Sequence, residues 1–336
     1  MKPLISVCMP NHNYEKFIRE SIESVLNQTY DNFELIIIDD CSTDNSVNII
    51  KSYKDPRIKF YQNDFNLGGP YKTLNRAISF AKGDLIAILH SDDRYDPHFL
   101  EEIVKAYNKY PDHKVFVSAI YNHDSLLGNL FPDYPFKTEG IISQKEVLTW
   151  LAYENPIGNG INVVVHKDAL NKNSFYNLDY RYTADHDLFM RLAQQYDFIY
   201  IDKLLAYYRR HEVNLTNRVF LEMVKEGHEI CNRHLSNSKI ISNDLHIKLL
   251  RTQYKSMINK AFYIGFKYNS PSLTRDLLKF FKNAYPELKY SSHWYLMYTF
   301  SFLINNLSSK LLTKPLFKLG RYYRTCITRN VEGLLR

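Results

Sequence analysis

The sequence predicts an α/β fold with a mostly parallel sheet flanked by helices. Short apolar strands alternate with amphipathic helices through about the first third of the 336 residues. This regular alternation is typical of parallel sheets wrapped by helices. Two of the apolar strands run into adjacent aspartates, Asp39-Asp40 and Asp92-Asp93. Because ligands bind outside the carboxyl ends of the strands in such sheets, the aspartates mark the predicted binding edge.

Apolar runs and helical periodicity define the elements in chain order. Short apolar runs predict buried strands, and apolar residues three or four positions apart predict amphipathic helices. The predicted strands are Ile5–Met9, Phe33–Ile38, Ile58–Gln62, Leu85–Leu89, Val115–Ala119, Ile161–Val165 and Phe198–Ile201. The predicted helices lie between them, at about Glu15–Gln28, after Asp44, over Leu74–Ala81, over Leu100–Tyr107, at Gln144–Ala152 and at Asp187–Gln195. We expect Gly83 to end the third helix in the left-handed C-cap conformation.

Beyond about residue 217 the pattern becomes helical. Helices are predicted over Phe220–Leu235, Leu245–Phe266, Ser272–Tyr285 and His293–Leu307. We therefore predict two domains, an α/β catalytic domain over residues 1–215 and a helical C-terminal region over residues 216–336.

The charge distribution argues against a nucleic-acid partner. The formal net charge is +7, but from residue 310 onward seven Lys or Arg face one Glu, which leaves the first 309 residues close to neutral. The basic tail follows twenty residues, 290–309, that are rich in Tyr and Phe and contain no Asp, Glu, Lys or Arg. Two interpretations remain open: a helix lying on an anionic membrane surface, or an aromatic helix packed on the catalytic domain or on a second subunit of a homo-oligomer.

Cysteine usage predicts a cytoplasmic protein. Four cysteines are widely scattered, without a CxxC pair, and no secretory leader precedes the first strand. This pattern indicates reduced thiols in the cytosol. With the membrane interpretation of the tail, the protein would lie peripherally on the inner face of the cytoplasmic membrane.

The paired aspartates at strand ends predict a nucleotide-handling enzyme. Two adjacent anions at the end of a buried strand are costly unless a positive group compensates them. A divalent cation that carries a phosphorylated ligand fits this need, because hard cations bind carboxylate oxygens together with substrate phosphates.

An ordered set of sequence blocks resembles the family 2 glycosyltransferases of the GT-A fold. The resemblance covers roughly residues 3–215, and the order of the blocks makes it specific. The blocks are SVCMPNHNY at 6–14, SIESVLNQTY at 21–30, ELIIIDDCSTDNS at 34–46, NLG at 66–68, AKGD at 81–84 and SDD at 91–93.

The resemblance implies a nucleotide-sugar site. It assigns Pro10, Asn11 and Asn13 of the first turn, together with Asp40, to the nucleotide, and leaves Asp39 to orient the loop. Asp93 would contact Mn²⁺ or Mg²⁺ at the diphosphate, and Asp92 would reach the ribose or a metal-bound water.

Lys72 is our prediction for a diphosphate contact, because a glycine pair before a helix N-terminus exposes amides suited to phosphate. For Arg76, a solvated side chain is an equally good interpretation.

The resemblance also assigns the catalytic base to Asp185 and a role at the metal or diphosphate to His211. The family commonly has Glu-Asp where this chain has Ala184-Asp185, so the match is imperfect there. An N-cap role for Asp185, just before an amphipathic helix, stays open.

We therefore predict an inverting, metal-dependent glycosyltransferase that uses a nucleoside-diphosphate sugar, with UDP as the expected nucleotide. Its acceptor would be a growing surface polysaccharide, such as capsule or lipopolysaccharide, or a lipid-linked glycan. Two alternatives remain: a sugar nucleotidyltransferase, and a catalytically silent protein that binds glycan or nucleotide. Against the first, the turn after the first strand lacks the glycine-rich basic loop that such an enzyme needs.

Overall fold

The computed structural model of the protein describes residues 2–124, 129–153, 155–173, 175–211, 219–236, 238–249, 252 and 271–284. Within them a mixed sheet of ten strands is flanked by helices, which confirms the predicted fold class. The strands are β1 (Ile5–Asn11), β2 (Phe33–Asp39), β3 (Ile58–Gln62), β4 (Leu85–Ile88), β5 (Arg94–Tyr95), β6 (Val115–Asp124), β7 (Asn129–Asp133), β8 (Gly140–Ile142), β9 (Val163–His166) and β10 (Phe198–Arg210). The helices are α1 (Ile18–Leu26), α2 (Ser46–Ser52), α3 (Pro70–Phe80), α4 (Phe99–Lys109), α5 (Gln144–Tyr153), α6 (Lys167–Asn173), α7 (Ala184–Ala193) and α8 (Phe220–Ser236), followed by helical residues 243–249 and a helix over Pro271–Ala284.

The strand order brings the functional ends of the strands to one edge of the sheet. The order is β3-β2-β1-β4-β9-β6-β10-β5, with β7 paired to β6 and β8 to β10. Strands β1 to β4 are parallel. Because β9 is antiparallel to both β4 and β6, and β6 is parallel to β10, the carboxyl end of β10 lies at the same edge as that of β4.

The core forms where the central strands meet two amphipathic helices. Every residue of β1, β2 and β4 is buried. Helix α1 contributes Ile18 and Ile22 to the same apolar cluster, and α4 contributes Leu100 and Ile103, all at 0% exposure. Each such side chain contributes roughly 1.5–3 kcal/mol by its burial, so the strand ends that carry the aspartates are held on a rigid base.

The prediction that Gly83 caps α3 in the left-handed conformation is wrong. The helix ends at Phe80, Ala81 is its C-cap with extended ψ of 130°, and Gly83 is not among the glycines with positive φ. A Cβ added to Gly83 would lie 2.6 Å from the main-chain N of Ser6. Glycine is needed here because the backbone of β1 approaches too closely for a side chain.

Short strands account for most of what the sequence pattern missed. The seven predicted strands are all present, whereas β5, β7 and β8, which have two to five residues each, were not predicted. Strand β10 is also much longer than predicted: it continues beyond Ile201 to Arg210 across register shifts in its pairing with β6. This extension carries the end of β10 to the acidic pair.

The chain divides into two compact units. One contains Met1–Val147 and Pro156–Arg218, and the other Leu148–Asn155 and Val219–Arg336. The predicted helices at 220–235 and 272–285 are confirmed as α8 and the Pro271–Ala284 helix. The predicted helix at 293–307, the aromatic stretch and the basic tail lie outside the described residues, as does most of the predicted 245–266 helix. No helix in the described residues has the length and apolar character needed to cross a membrane.

Candidate active site

A buried aspartate fixes the loop that follows β2. Asp39 is 0% exposed and is the register partner of Asn11 on β1. Its Oδ1 accepts hydrogen bonds from Asn11 Nδ2 at 2.7 Å and from Ser42 Oγ at 2.5 Å. Its Oδ2 accepts one from Ser42 N at 2.9 Å. Asp39 is thus occupied by the protein itself, while Asp40 faces the loop after β3.

The turn after β1 holds the same loop from the other side. Asn13 has a left-handed backbone with φ of 58°, which asparagine tolerates better than most residues. Its N–H donates to Ser42 Oγ at 2.9 Å, and its Oδ1 accepts from Thr43 N at 2.8 Å. Pro10 O accepts from Ser91 Oγ at 2.6 Å, which ties this turn to the segment of the second aspartate pair.

Asp40 is held beside the loop that leads into α3. It is 4% exposed, and its Oδ1 accepts hydrogen bonds from Asn63 Nδ2 at 2.6 Å and from Leu67 N at 3.0 Å. Arg76 is exposed, as in the solvated interpretation, and its Nη1 donates to Asn63 Oδ1. A carboxylate offers about four acceptor positions, so Asp40 retains capacity for a donor on a ligand. Lys72 is exposed on the first turn of α3.

The second aspartate pair is buried and held by three separate segments. Asp92 is 6% exposed and Asp93 is 1% exposed. Asp93 Oδ1 accepts from the main-chain N of Arg209 at 2.8 Å, and Asp93 Oδ2 accepts from Asn159 Nδ2 at 3.1 Å. The Arg209 side chain donates from Nε to Asp92 O at 2.8 Å and pairs with Glu20 of α1. Both carboxylates therefore have fixed positions at the sheet edge.

The electrostatics of this pair favour a cation. Burial raises the pKa of the Asp93 carboxyl well above its usual range, and the negative charge of Asp92 is the second largest cause. The hydrogen bonds from Arg209 and Asn159 oppose this shift. Burial lowers the pKa of His90, which favours the neutral imidazole that can bind a metal. A positive charge between the two carboxylates would relieve their repulsion.

His211, directly after the end of β10, contacts one of these carboxylates. Its Nε2 lies 3.0 Å from Asp92 Oδ2. Its ring stacks on Phe17 with centroids 4.9 Å apart at 21°, and the Tyr14 ring stands 6.2 Å away edge-on. His211 is thus held in contact with Asp92 by packing against the segment that follows β1.

Three side chains at this place fit a divalent cation. One ligand atom each from His90, Asp92 and Asp93 lie within 4.8 Å of one another, and this is the one such cluster among the described residues. Two carboxylates and an imidazole form a donor set that suits Mn²⁺. The carboxylate oxygens alone also suit Mg²⁺. The geometry therefore adds His90, which the sequence pattern does not single out, to the residues that could hold a metal.

Asp185 lies in the first turn of α7. The N-cap of α7 is Thr183, which makes no capping side-chain hydrogen bond, so the N-cap alternative for Asp185 is wrong. Asp185 is partly exposed, and its Oδ1 accepts from His186 N at 2.8 Å. The neighbouring Asp187 is buried and pairs with Arg191 at 2.8 Å, so it has a structural role. Asp185 is therefore the carboxylate of this cluster that a ligand can reach.

A glycine turn connects α7 to the acidic pair. Gly158 and Gly160 have φ of 73° and 80°, and Asn159 between them bonds to Asp93. A Cβ on Gly160 would lie 2.9 Å from the Phe189 ring of α7. The turn thus packs against α7 while its Asn side chain reaches the carboxylates.

The structure brings four of the nine predicted site residues together around the second aspartate pair. Asp92, Asp93 and His211 are in one hydrogen-bonded cluster, and Pro10 is joined to it through Ser91. Sequence reasoning missed Arg209, His90 and the role of Asn159. A signal for Asn159 was present, because an asparagine between two glycines predicts a tight turn that presents its side chain.

Comparisons with known proteins identify similar sequences. The sequence model described as Glycosyl transferase family 2 matches residues 6–173, half of the chain. Glycosyltransferase GlyG of Streptococcus pneumoniae is 37% identical over 133 residues, which cover 39% of this chain and 44% of GlyG. WcaA of Escherichia coli, whose name assigns it to colanic acid biosynthesis, is 29% identical over 204 residues, 58% of this chain and 67% of WcaA. The chain thus spans less than half of the length of GlyG.

Solved structures support the fold. Staphylococcus aureus TarS 1–349, determined in complex with UDP, aligns with a TM-score of 0.60 at 20% identity, over 78% of this chain and 74% of that one. At this identity the likeness concerns the fold alone.

Proposed function

Since the chain belongs to glycosyl transferase family 2 and is a glycosyltransferase, we propose that it transfers a sugar, with inversion, from a UDP-sugar. The proposed acceptor is a hydroxyl of a growing surface polysaccharide or a lipid-linked glycan. The UDP bound in the TarS structure supports the choice of nucleotide. The assignment of WcaA to colanic acid biosynthesis supports the class of acceptor.

One observation carries the proposal: both aspartate pairs follow parallel strands at the same edge of the mixed sheet, and one ligand atom each from His90, Asp92 and Asp93 lie within 4.8 Å of one another. A nucleoside diphosphate offers a base at one end and two phosphates at the other. Asp40, in its hydrogen-bonded setting, suits the base, and the cluster of His90, Asp92 and Asp93 suits the diphosphate.

At the base, the Asp40 carboxylate would accept a hydrogen bond from a ring N–H. Uracil presents such a donor. Asp39 and Asn13 support this contact indirectly, because they hold the loop around Asp40. Pro10 and Asn11 would line the turn, and Lys72, exposed on the first turn of α3, would approach the phosphates.

At the diphosphate, Asp93, Asp92 and His90 would hold Mn²⁺ or Mg²⁺. A divalent ion supplies positive charge to a leaving nucleoside diphosphate without proton transfer. Asp92 would also reach the ribose, and His211 would fix Asp92 through the hydrogen bond between them. Arg209 and Asn159 hold Asp93 in place.

At the acceptor, Asp185 would take the proton of the attacking hydroxyl. Inversion requires a base on the face opposite the leaving group. A base must be accessible to the acceptor. Asp185 is partly exposed, whereas Asp187 is buried and paired with Arg191.

The first test is a titration of UDP, GDP, dTDP and CMP into the protein by calorimetry, with and without Mn²⁺. We expect UDP to bind tightly only with the metal. If only one of the other nucleotides binds, the donor is a sugar linked to that nucleotide and not to UDP. No binding under any condition would contradict the proposal and favour a silent protein.

The second test is Asp185→Asn, which removes the base without changing its size. We expect the release of UDP from UDP-sugars, with water accepting the sugar, to fall at least about a hundredfold, while the Kd for UDP with Mn²⁺ stays within about twofold. Asp179→Asn, the same change at an exposed position, is the matched control. Full turnover in the Asp185→Asn variant would show that another group is the base.

A further inference from the structure

We propose that Tyr71, the second residue of α3, is a positioning residue that fixes the carboxylate of Asp185 for proton abstraction. The proposal rests on the proposed function, in which Asp185 is the base. Neither the sequence blocks nor the paired aspartates point to Tyr71, which lies far from Asp185 in the chain.

The first argument is the position of the Tyr71 hydroxyl. Its oxygen lies 3.2 Å from the main-chain O of Tyr182, three residues before Asp185, and its single hydrogen is available to one acceptor at a time. The same hydroxyl is within hydrogen-bonding reach of the Asp185 carboxylate and of the Asp185 N–H. Burial, followed by the charge of Asp185, raises the pKa of Tyr71 well above its usual range. Tyr71 therefore stays a neutral donor next to an anionic acceptor.

The second argument is that the whole segment before α7 is clamped on the same face of α3. Asn75 stands one helical turn after Tyr71, so both side chains lie on one face. Asn75 Nδ2 donates to Tyr176 O at 2.9 Å, and Tyr176 N donates to Asn75 Oδ1 at 2.9 Å. The Tyr71 and Tyr176 rings are 5.0 Å apart. These contacts fix the position of Tyr71 relative to the segment that leads into Asp185.

The third argument is the connection of Tyr71 to the nucleotide side of the site. Leu67 N donates to Asp40 Oδ1 at 3.0 Å. Only Gly68, Gly69 and Pro70 then separate Leu67 from Tyr71, and both glycines have positive φ, 82° and 156°. A short loop therefore links the carboxylate proposed to bind the base of the donor to the tyrosine that contacts the proposed catalytic base.

The consequence concerns the orientation of Asp185. Its Oδ1 accepts from the N–H of His186, and a second donor from Tyr71 fixes the rotation of the carboxylate. A hydrogen bond to the charged form also stabilises that form. Loss of the hydroxyl should therefore lower kcat and shift the acid limb of the kcat–pH profile to higher pH, because the base then holds its proton more strongly.

The experiment compares Tyr71→Phe with Tyr176→Phe in the full chain. Each removes one hydroxyl from one of two adjacent rings, and Tyr176 feels the Asp185 charge without a hydrogen bond to it. Turnover is measured as UDP released from UDP-sugars with Mn²⁺ between pH 5 and pH 9, with water accepting the sugar, and UDP affinity is measured by calorimetry. Thermal unfolding checks that both variants are folded.

For Tyr71→Phe we expect kcat to fall about tenfold or more, with the KM for the donor and the Kd for UDP within about twofold. The acid limb should move to higher pH, and Tyr176→Phe should behave like the wild type. Equal behaviour of the two variants, or a change in KM alone, would overturn the role of Tyr71. A wild-type chain that binds UDP but releases none from any donor would instead overturn the proposed function, and the role of Tyr71 with it.

Discussion

At the scale of single residues, the hydrogen bonds to Asp92 and Asp93 compensate the negative charge of this pair only in part. Asp93 accepts hydrogen bonds from Arg209 and Asn159, and Asp92 is in contact with His211. These contacts compensate the two carboxylates in part, yet the pKa of Asp93 remains raised by burial and by Asp92. The remaining unfavourable charge is what a divalent cation would neutralise.

Asp93→Asn should therefore separate stability from binding. The substitution keeps the size and removes one of two repelling charges, but it also removes one of two hydrogen-bond acceptors. Because these effects oppose each other, we expect the unfolding temperature without metal to change little. The affinity for UDP in the presence of Mn²⁺ should fall at least about tenfold, because one ligand of the cation is lost. Calorimetry and thermal unfolding measure the two effects.

Asp112→Asn, at an exposed position, is the control for the change of net charge. An Asp93→Asn variant that keeps full metal-dependent UDP affinity would contradict a metal role for Asp93.

The sequence identified the titratable residues of this site but not all of their partners. Asp92 and Asp93 were evident because two charges end a buried apolar strand. His90 was not, because a single histidine next to a strand is more often packing than ligand, and only the turn after β4 brings its ring to the carboxylates. Arg209 acts mainly through its main-chain N–H, for which no side-chain signal exists.

At the scale of elements, the length of β10 and the turn at 158–160 assemble the site. The apolar run predicted β10 only to Ile201, because Asp202 and Lys203 interrupt it directly afterwards. Its pairing with β6 nevertheless continues to Arg210. This continuation delivers both the Arg209 N–H and His211 to the acidic pair.

The turn at 158–160 offers a matched pair of substitutions. Gly160→Ala combines a left-handed φ of 80° with a Cβ 2.9 Å from the buried Phe189 ring. We expect it to lower the free energy of unfolding by about 2–5 kcal/mol, from backbone strain and overpacking together. It should also weaken metal-dependent UDP binding, because Asn159 would shift from Asp93.

Gly158→Ala is the control, since its φ is 73° and nothing lies within 4 Å of the added Cβ. We expect it to cost only the backbone strain, about 1–2 kcal/mol. Chemical denaturation measures both values. If the free energy of unfolding fell less for Gly160→Ala than for Gly158→Ala, the contact of the added Cβ with Phe189 would not be destabilising.

At the scale of the whole molecule, the sheet gathers residues from distant parts of the chain at one edge. Strand β9 runs against both of its neighbours, so β10 regains the direction of β4. The C-terminal unit is helical where it is described, and the basic tail lies beyond those residues. The role of the tail as a membrane-binding segment stays a prediction from the sequence.

Vesicle binding tests this prediction. In the full chain, changing Lys310, Lys314 and Lys318 to Gln removes three charges from the tail. If the tail lies on an anionic surface, binding to phosphatidylglycerol vesicles at low salt should weaken by about a hundredfold, at about 1 kcal/mol for each charge. Co-sedimentation measures the change.

The same number of charges can be removed from the α/β unit as a control, by changing the exposed Lys51, Lys54 and Lys59 to Gln. This variant should bind vesicles like the wild type. Equal weakening by both triple variants would indicate only a general effect of net charge, and no binding by the wild type would favour the packed-helix interpretation.

The sequence by itself determined the fold class, the order of the main strands and helices, and the two aspartate pairs at strand ends. It could do so because these features depend on local apolar periodicity and on charges placed next to buried runs. Only the tertiary structure decided which partners the carboxylates have. Arg209, Asn159 and His211 reach Asp92 and Asp93 through strand pairing and a glycine turn, and Tyr71 reaches the segment of Asp185 across the fold. Such contacts join residues more than sixty positions apart, and no local pattern encodes them.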